Sequence, residues 1–335
     1  MKRKTILSSV LLCISCISIF YSCKQRDDYP TFDDKVEETA PVDPIPDDKQ
    51  LEAVTKTIME RTDLIKTFLV DSSVTISTGL VRTHVRYVNK LDQRVSLQLL
   101  KVDLSSKALF PTIMSAFDDY LYVSQPIGDM AKYNEPRSGG EILAAINAAS
   151  SSAVSYIKNG RQINVSTSNI KTKEKTRPFF AIRKDGSPYI GNCVDTTKFT
   201  FEPYDLNQFN GLVSGTNWVR YRGYSVLTTS EVVQAVTAIG LSSDKKTMYA
   251  LVVDGGDTNF SVGIGLNDVA ALMGALDAYD AFVLNSGATS VMVQKTLTAD
   301  PFNPIIWNPV SKPLTAGGSA SISGIGFVKR SSIKN

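Results

Sequence analysis

Residues 248–256 read Met-Tyr-Ala-Leu-Val-Val-Asp-Gly-Gly. From Tyr249 to Val253 every position is apolar, with no polar residue in alternation. The run therefore predicts a strand covered on both faces. It stops at Asp254-Gly255-Gly256, a turn sequence. Upstream, Ala235–Leu241 is a second apolar run, joined to the first through the turn-rich residues Ser242–Thr247. Downstream, the spacing of Leu266–Leu276 predicts a helix that starts at Asn267 or the glycine before it. A third buried run, Ala281–Leu284, ends at Asn285-Ser286-Gly287.

Further out, Leu51, Val54, Ile58, Leu64, Ile65 and Phe68 suit one face of an amphipathic helix, so residues 51–75 are expected to be an N-terminal helix. Val81–Val88 and Val95–Leu104 alternate as two strands about the turn residues Asn89–Asp92. Met130–Tyr133 opens a short helical or loop segment, and Gly139-Gly140 breaks the chain. Ile142–Ile146 is a buried strand that delivers Asn147 at its end. Phe179–Ile182 and Tyr189–Ile190 flank Lys184-Asp185-Gly186-Ser187, a hairpin signal. Ser321–Lys329 alternates as a closing strand, and no internal repeat is visible. The expected fold class is α+β, a single domain over residues 76–335 with a large mixed β-sheet flanked by helices.

The first fifty residues are of another kind. Lys2, Arg3 and Lys4 precede an apolar stretch from Ile6 to Tyr21, and Ser22-Cys23-Lys24 follow. A basic start, a short apolar core and a small residue before the cut site make a secretory signal over residues 1–22. The stretch is shorter than the about 20 apolar residues that span a bilayer comfortably. Ser22-Cys23 resembles a lipobox, which implies lipidation at Cys23. Cys16 is a competing site, but cleavage there would leave apolar Ile17–Tyr21 on the mature chain. Residues 24–50 hold nine Asp/Glu, four Lys/Arg and four Pro, so residues 23–50 read as an acidic, disordered tether. Acidic residues behind the cysteine resemble the surface-export signal of Bacteroidetes lipoproteins. The expected location is therefore the outer membrane or cell surface.

Composition removes several kinds of chemistry. The net charge is +3, and the Lys/Arg beyond the tether are scattered apart from Lys171, Lys173, Lys175 and Arg177 in one polar stretch, so nucleic acid is not an expected partner. Cys193 is the one cysteine beyond the signal region, which leaves no intramolecular disulfide in the mature domain. His84 is the single histidine. A histidine cluster for zinc is thus excluded, and a Ser-His-Asp triad would rest on His84 alone. Its alternation with apolar neighbours from Leu80 to Val88 favours a strand-face residue over a catalyst.

Three buried-looking strands end in small polar loops: Asn147, Asp254-Gly255-Gly256 and Asn285-Ser286-Gly287-Ala288-Thr289-Ser290. If neighbouring strands bring these ends together, they form a cleft of amides, hydroxyls, backbone N–H groups and one carboxylate. Such a lining suits a hydroxylated ligand and an anion such as a phosphate diester. Each loop by itself is ordinarily just a turn.

The set in order, Asn147-Ala148-Ala149-Ser150-Ser151, Ala235-Val236-Thr237-Ala238-Ile239-Gly240, Val253-Asp254-Gly255-Gly256, Phe260-Ser261-Val262-Gly263 and Val283–Met292, resembles the phosphodiester glycosidase family. That family is related to the lysosomal enzyme that uncovers mannose 6-phosphate by removing a blocking N-acetylglucosamine. The resemblance covers roughly residues 80–330. It implies catalytic or positioning roles for Asp254, Asn147 and Asn285, and substrate contacts from Thr237, Gly255, Ser261, Gly287, Thr289 and Ser290. It calls for no cofactor or metal ligand set, although a divalent metal stays open. The implied ligand is a glycan or sugar phosphate, and the membrane is reached through the lipid anchor. Departures from the family pattern are the loss of its arginines at Val236 and Gly256, of its aspartate at Asn285, and of its triple glycine at Ser286-Gly287-Ala288. A guanidinium is the natural partner of a phosphodiester. These losses therefore set a non-catalytic glycan-binding lipoprotein, and a structural or assembly lipoprotein that reuses only the fold, beside an active hydrolase of sugar-1-phosphate diesters.

Overall fold

A computed structural model describes residues 51–148, 156–164, 177–192, 205–229, 231–314 and 318–331. The largest sheet has eight strands in the order β1 (Thr67–Ser77), β2 (Leu80–Val88), β3 (Arg94–Asp103), β14 (Thr247–Val253), β13 (Val236–Leu241), β15 (Asp280–Ser286), β11 (Asn217–Tyr221) and β12 (Tyr224–Ser225). A second sheet runs β17 (Ile305–Pro309), β16 (Met292–Leu297), β5 (Gly140–Asn147), β18 (Ser323–Arg330) and β4 (Leu109–Ser115). A third runs β7 (Arg161–Asn164), β6 (Tyr156–Lys158), β10 (Phe209–Ser214), β8 (Pro178–Arg183) and β9 (Pro188–Asn192). The α-helices among the described residues are α1 (Ala53–Arg61), α2 (Ile127–Asn134) and α3 (Leu266–Ala275).

The apolar run that ends at Asp254 is β14, and it is buried on both faces. On one side Leu100, Ile239, Ala250, Val252 and Phe282 join a core with Ile146, Ile325 and Phe327 of the second sheet and Phe180 and Val213 of the third. On the other, Leu97, Leu99, Ala238, Leu251 and Val253 meet Ile58 of α1 and Val269, Leu272 and Met273 of α3. Helix α2 covers the outer face of the second sheet through Ile127 and Met130. Full burial of one such side chain contributes about 1.5–3 kcal/mol, so the strands between two cores are the most firmly held.

The predicted hairpins form. β2 and β3 pair from Leu80↔Val102 to Val88↔Arg94, and Asn89 Oδ1 closes their turn by accepting from the Leu91 and Gln93 amides at 2.9 Å. β13 and β14 pair across Ser242–Thr247 from Leu241↔Met248 to Val236↔Val253. β8 and β9 pair across Lys184–Ser187.

Three expectations are corrected. The large sheet is not mixed, because every strand pairing among the described residues is antiparallel. The fold is more β-rich than an α+β assignment implies, with three sheets and short helices packed on their faces. The helix expected over 51–75 spans just Ala53–Arg61; Thr62 is already extended at φ −137°, and β1 begins at Thr67. Leu64 and Ile65 do pack on the helix-side core, so their apolar reading holds. The β-branched stretch from Thr67 to Ser77 instead gains a long ladder with β2, and that pairing outweighs helical spacing. Among the described residues no helix is long and apolar enough to cross a membrane. The signal, Cys23, the tether and Cys193 lie outside the described residues.

Candidate functional site

Strand β13 brings the polar loop ends together. Val236 pairs with Val253 on one side and with Ser286 on the other, so Asp254-Gly255 and Asn285-Ser286-Gly287 emerge beside each other. Strand alternation puts Thr237, Val252 and Asp254 on the face that looks toward the second sheet.

Asp254 is 3% exposed. Its Oδ2 accepts from Ser96 Oγ at 2.8 Å, and its Oδ1 accepts from the Lys312 backbone N–H at 2.7 Å. Ser261 pins the same turn: its hydroxyl donates to Asp254 C=O at 2.6 Å and accepts from the Ser96 N–H at 3.0 Å. Burial pushes the Asp254 carboxyl up to about 6, against the opposing pull of Ser96, the Lys312 amide and the charges of Lys312 and Arg86. Burial wins because removing a carboxylate from water costs more than two hydrogen bonds return. A carboxyl at that value can give or take a proton near neutrality.

Behind Ser96 stands His84, whose Nε2 lies 3.3 Å from Ser96 Oγ. Arg86, two residues along β2, holds its guanidinium carbon 4.5 Å from the Phe260 ring centre, and Lys312 Nζ lies 4.5 Å from the same centre. Lys312 Nζ also pairs with Asp257 at 2.9 Å. One aromatic ring thus gathers two cations beside the buried carboxyl.

The amide group forms a neighbouring centre. Asn147 is fully buried, and its Oδ1 accepts from Thr237 Oγ1 at 2.6 Å and from the Val291 N–H at 2.9 Å. It therefore clamps β13 of the large sheet to the chain entering β16 of the second. Thr237 is the cross-strand partner of Asn285, whose Nδ2 donates to Thr289 Oγ1. Asn147 Nδ2, Gln98 Oε1 and Ser290 Oγ are buried without a hydrogen-bond partner among the described residues. Gln98 lies between His84 and Val252 in the ladder. Such atoms are costly to bury unpaired.

The two glycines of the predicted set differ. A Cβ at Gly255 would lie 2.3 Å from the Ala235 nitrogen, so close packing of two strand ends requires this glycine. Gly287 sits at φ +82° with open space where a side chain would stand. The departures from the family pattern also read differently in three dimensions. Val236 points into the helix-side core, away from Asp254, so a valine there removes no cation from the carboxyl's face. Gly256 is covered by Leu314, whose Cδ2 would lie 2.6 Å from a Cβ at that position. Arg86 and Lys312 supply positive charge on the Asp254 face. Motif matching missed both, along with Ser96. The β2–β3 register was the signal that could have found Ser96 and Arg86, since it sets Arg86 against Ser96 and His84 against Gln98. No group of three or more His, Cys, Asp or Glu among the described residues could hold a metal ion.

The family model for phosphodiester glycosidase matches residues 136–314. The chain belongs to the phosphodiester glycosidase family. Asn147, Thr237, Asp254, Ser261, Asn285 and Lys312 lie inside the matched segment, whereas His84, Arg86 and Ser96 precede it. Among solved structures, a hypothetical protein from Synechocystis shares 9% identity at a TM-score of 0.53, over 77% of this chain and 64% of that one. This chain thus spans less than two thirds of the Synechocystis chain, and the likeness is one of fold. The catalytic domain of zebrafish N-acetylglucosamine-1-phosphodiester alpha-N-acetylglucosaminidase, auto-inhibited by its pro-peptide, shares 17% identity at a TM-score of 0.49, over 78% of this chain and 88% of that one. A putative exported protein from Burkholderia pseudomallei shares 12% at 0.45, over 71% and 74%. No curated protein matches this sequence.

Proposed function

We propose that this phosphodiester glycosidase domain hydrolyses a sugar-1-phosphate diester. Asp254 would exchange the proton, and Arg86 and Lys312 would face the phosphate. The carrying observation is the buried Asp254 carboxyl, raised to about 6, with two cations on its face. Cleavage would break the anomeric C–O bond, add water to the sugar and release a phosphomonoester. Phosphate leaves readily, so one carboxyl suffices where glycoside hydrolysis ordinarily uses two. Asn285, Gly287, Thr289 and Ser290 would position the sugar hydroxyls, with the buried Asn147–Thr237 pair holding the strands beneath them and Gly255 and Ser261 holding the Asp254 turn. The test is release of N-acetylglucosamine from its 1-phosphodiesters, with and without divalent metal. Activity is expected in the native chain and a loss of at least about 100-fold in Asp254→Ala. Equal rates in the two proteins would sink the assignment.

A second reading, a glycan-binding protein without turnover, is favoured by one observation. Both Asp254 oxygens already have donors, and the side chain is 3% exposed. Calorimetric binding of the intact diester with no sugar release would select it.

We also propose that Cys23 carries a lipid that holds the domain at the outer membrane or cell surface by the acidic tether. Labelled palmitate should enter the native chain and not Cys23→Ser, and the variant should leave the membrane fraction. Equal labelling would refute the anchor.

A further inference from the structure

The single histidine of the sequence stands one hydroxyl away from the buried carboxyl of the site. His84 Nε2, Ser96 Oγ and Asp254 Oδ2 follow one another at 3.3 and 2.8 Å. His84 is half-buried on β2, Ser96 is fully buried on β3, and Asp254 caps β14 at 3% exposure. The register of the antiparallel ladder makes this alignment.

We propose that His84, Ser96 and Asp254 form a proton-sharing chain, in which His84 holds or returns the proton that Asp254 gives up. In one state Asp254 carries its proton on Oδ2 and donates to Ser96, while Ser96 donates to a neutral His84 at Nε2. In the other, the Asp254 O–H bond breaks as that proton bonds to Ser96 Oγ, and the proton Ser96 held moves to Nε2. The result is a carboxylate, an unchanged serine and an imidazolium. Total charge and proton count are the same in both states. A hydroxyl suits the middle position because it donates and accepts at once. Asp254, otherwise sealed from water, thereby gains a route by which its protonation state can be reset from the part-buried ring. Charged groups around the pair are Arg82 and Arg86 on β2, Lys312 beyond β17, and Asp257, which is held by Lys312. Arg86 and Lys312 favour the carboxylate, and the cations beside His84 on its own strand oppose the imidazolium, so neither state is frozen out by its surroundings.

This inference deepens the role assigned to Asp254 above and rests on it for its use in catalysis. Its test needs no substrate. The imidazole resonances of the full chain, prepared without a histidine tag, are followed by NMR from pH 4 to 9. Because His84 is the single histidine, the signal is unambiguous. Two inflections are expected in the native protein, since sites coupled by about one pH unit or more titrate as a pair. Asp254→Asn, close in shape, should leave one inflection, displaced to lower pH by about a unit or more. Ser96→Ala should reduce the same coupling. A single-step native curve that is unchanged in Asp254→Asn overturns the chain, and this reading needs no serine variant to fold. Failure of the hydrolysis assay with these titrations intact would remove the proposed reaction and leave the proton chain standing.

Discussion

Asp254 is protonated over a wider pH range in the folded protein than in the unfolded chain. Its carboxyl stands near 6 against an ordinary value of 3.8. Between these values the folded state binds the extra proton, so the contribution of this group to stability is fully present below 3.8 and is lost as pH rises through about 6. At 1.36 kcal/mol per pH unit, the loss amounts to roughly 3 kcal/mol at neutral pH. The stability of Asp254→Asn relative to the native protein should therefore rise between pH 4 and pH 8, by up to roughly 3 kcal/mol. Denaturant unfolding at the two pH values measures this, and equal differences would contradict it. Asp254 itself was legible because a lone carboxylate after five apolar residues is conspicuous. His84 was legible as a strand-face residue and illegible as the neighbour of Asp254. Contacts across β2, β3 and β14 join positions about 160 residues apart, and periodicity carries no information over that distance.

At the scale of the element, close backbone approach decides which residues can change. β14 turns at Gly255 directly against the start of β13, where a Cβ would stand 2.3 Å from the Ala235 nitrogen. The obstructing atom is backbone and cannot rotate aside. Gly255→Ala should cost about 1–3 kcal/mol or more through forced separation of the strands. Gly287→Ala meets no atom, and should cost about 1–2 kcal/mol, from its left-handed φ alone. Thermal unfolding of both variants ranks them, and a larger loss at Gly287 would reverse the argument. Elements whose local preference and tertiary placement agree were legible: β2, β3, β13, β14 and α3. The boundary between α1 and β1 was not. Leu64, Ile65 and Phe68 satisfy the helical spacing, yet the ladder with β2 claims Phe68 and the residues after it. β4, β10, β11, β16 and β17 also went unread, since their apolar residues are interrupted by polar and glycine positions that only cross-strand pairing explains.

Over the whole molecule, protection should follow double coverage. β3, β14 and β13 lie between the sheet-side and helix-side cores, whereas β12 and β17 form sheet margins. Native-state hydrogen exchange should be slowest for the amides of the first three and fastest at the margins. Protection of β17 above β14 would refute the layered account. The burial of β14 was readable from composition, but the antiparallel order was not, because apolar runs leave strand direction open. The strand order also bears on how the protein can be divided. The family match begins at residue 136, while β14 is hydrogen-bonded to β3 along its whole length. A fragment cut at that boundary would lose β1–β3 and turn the most apolar strand of the molecule into a bare edge. Unpaired N–H and C=O groups on such a strand recruit other chains. The shortened protein is therefore expected to associate through β14 and to be recovered as aggregate.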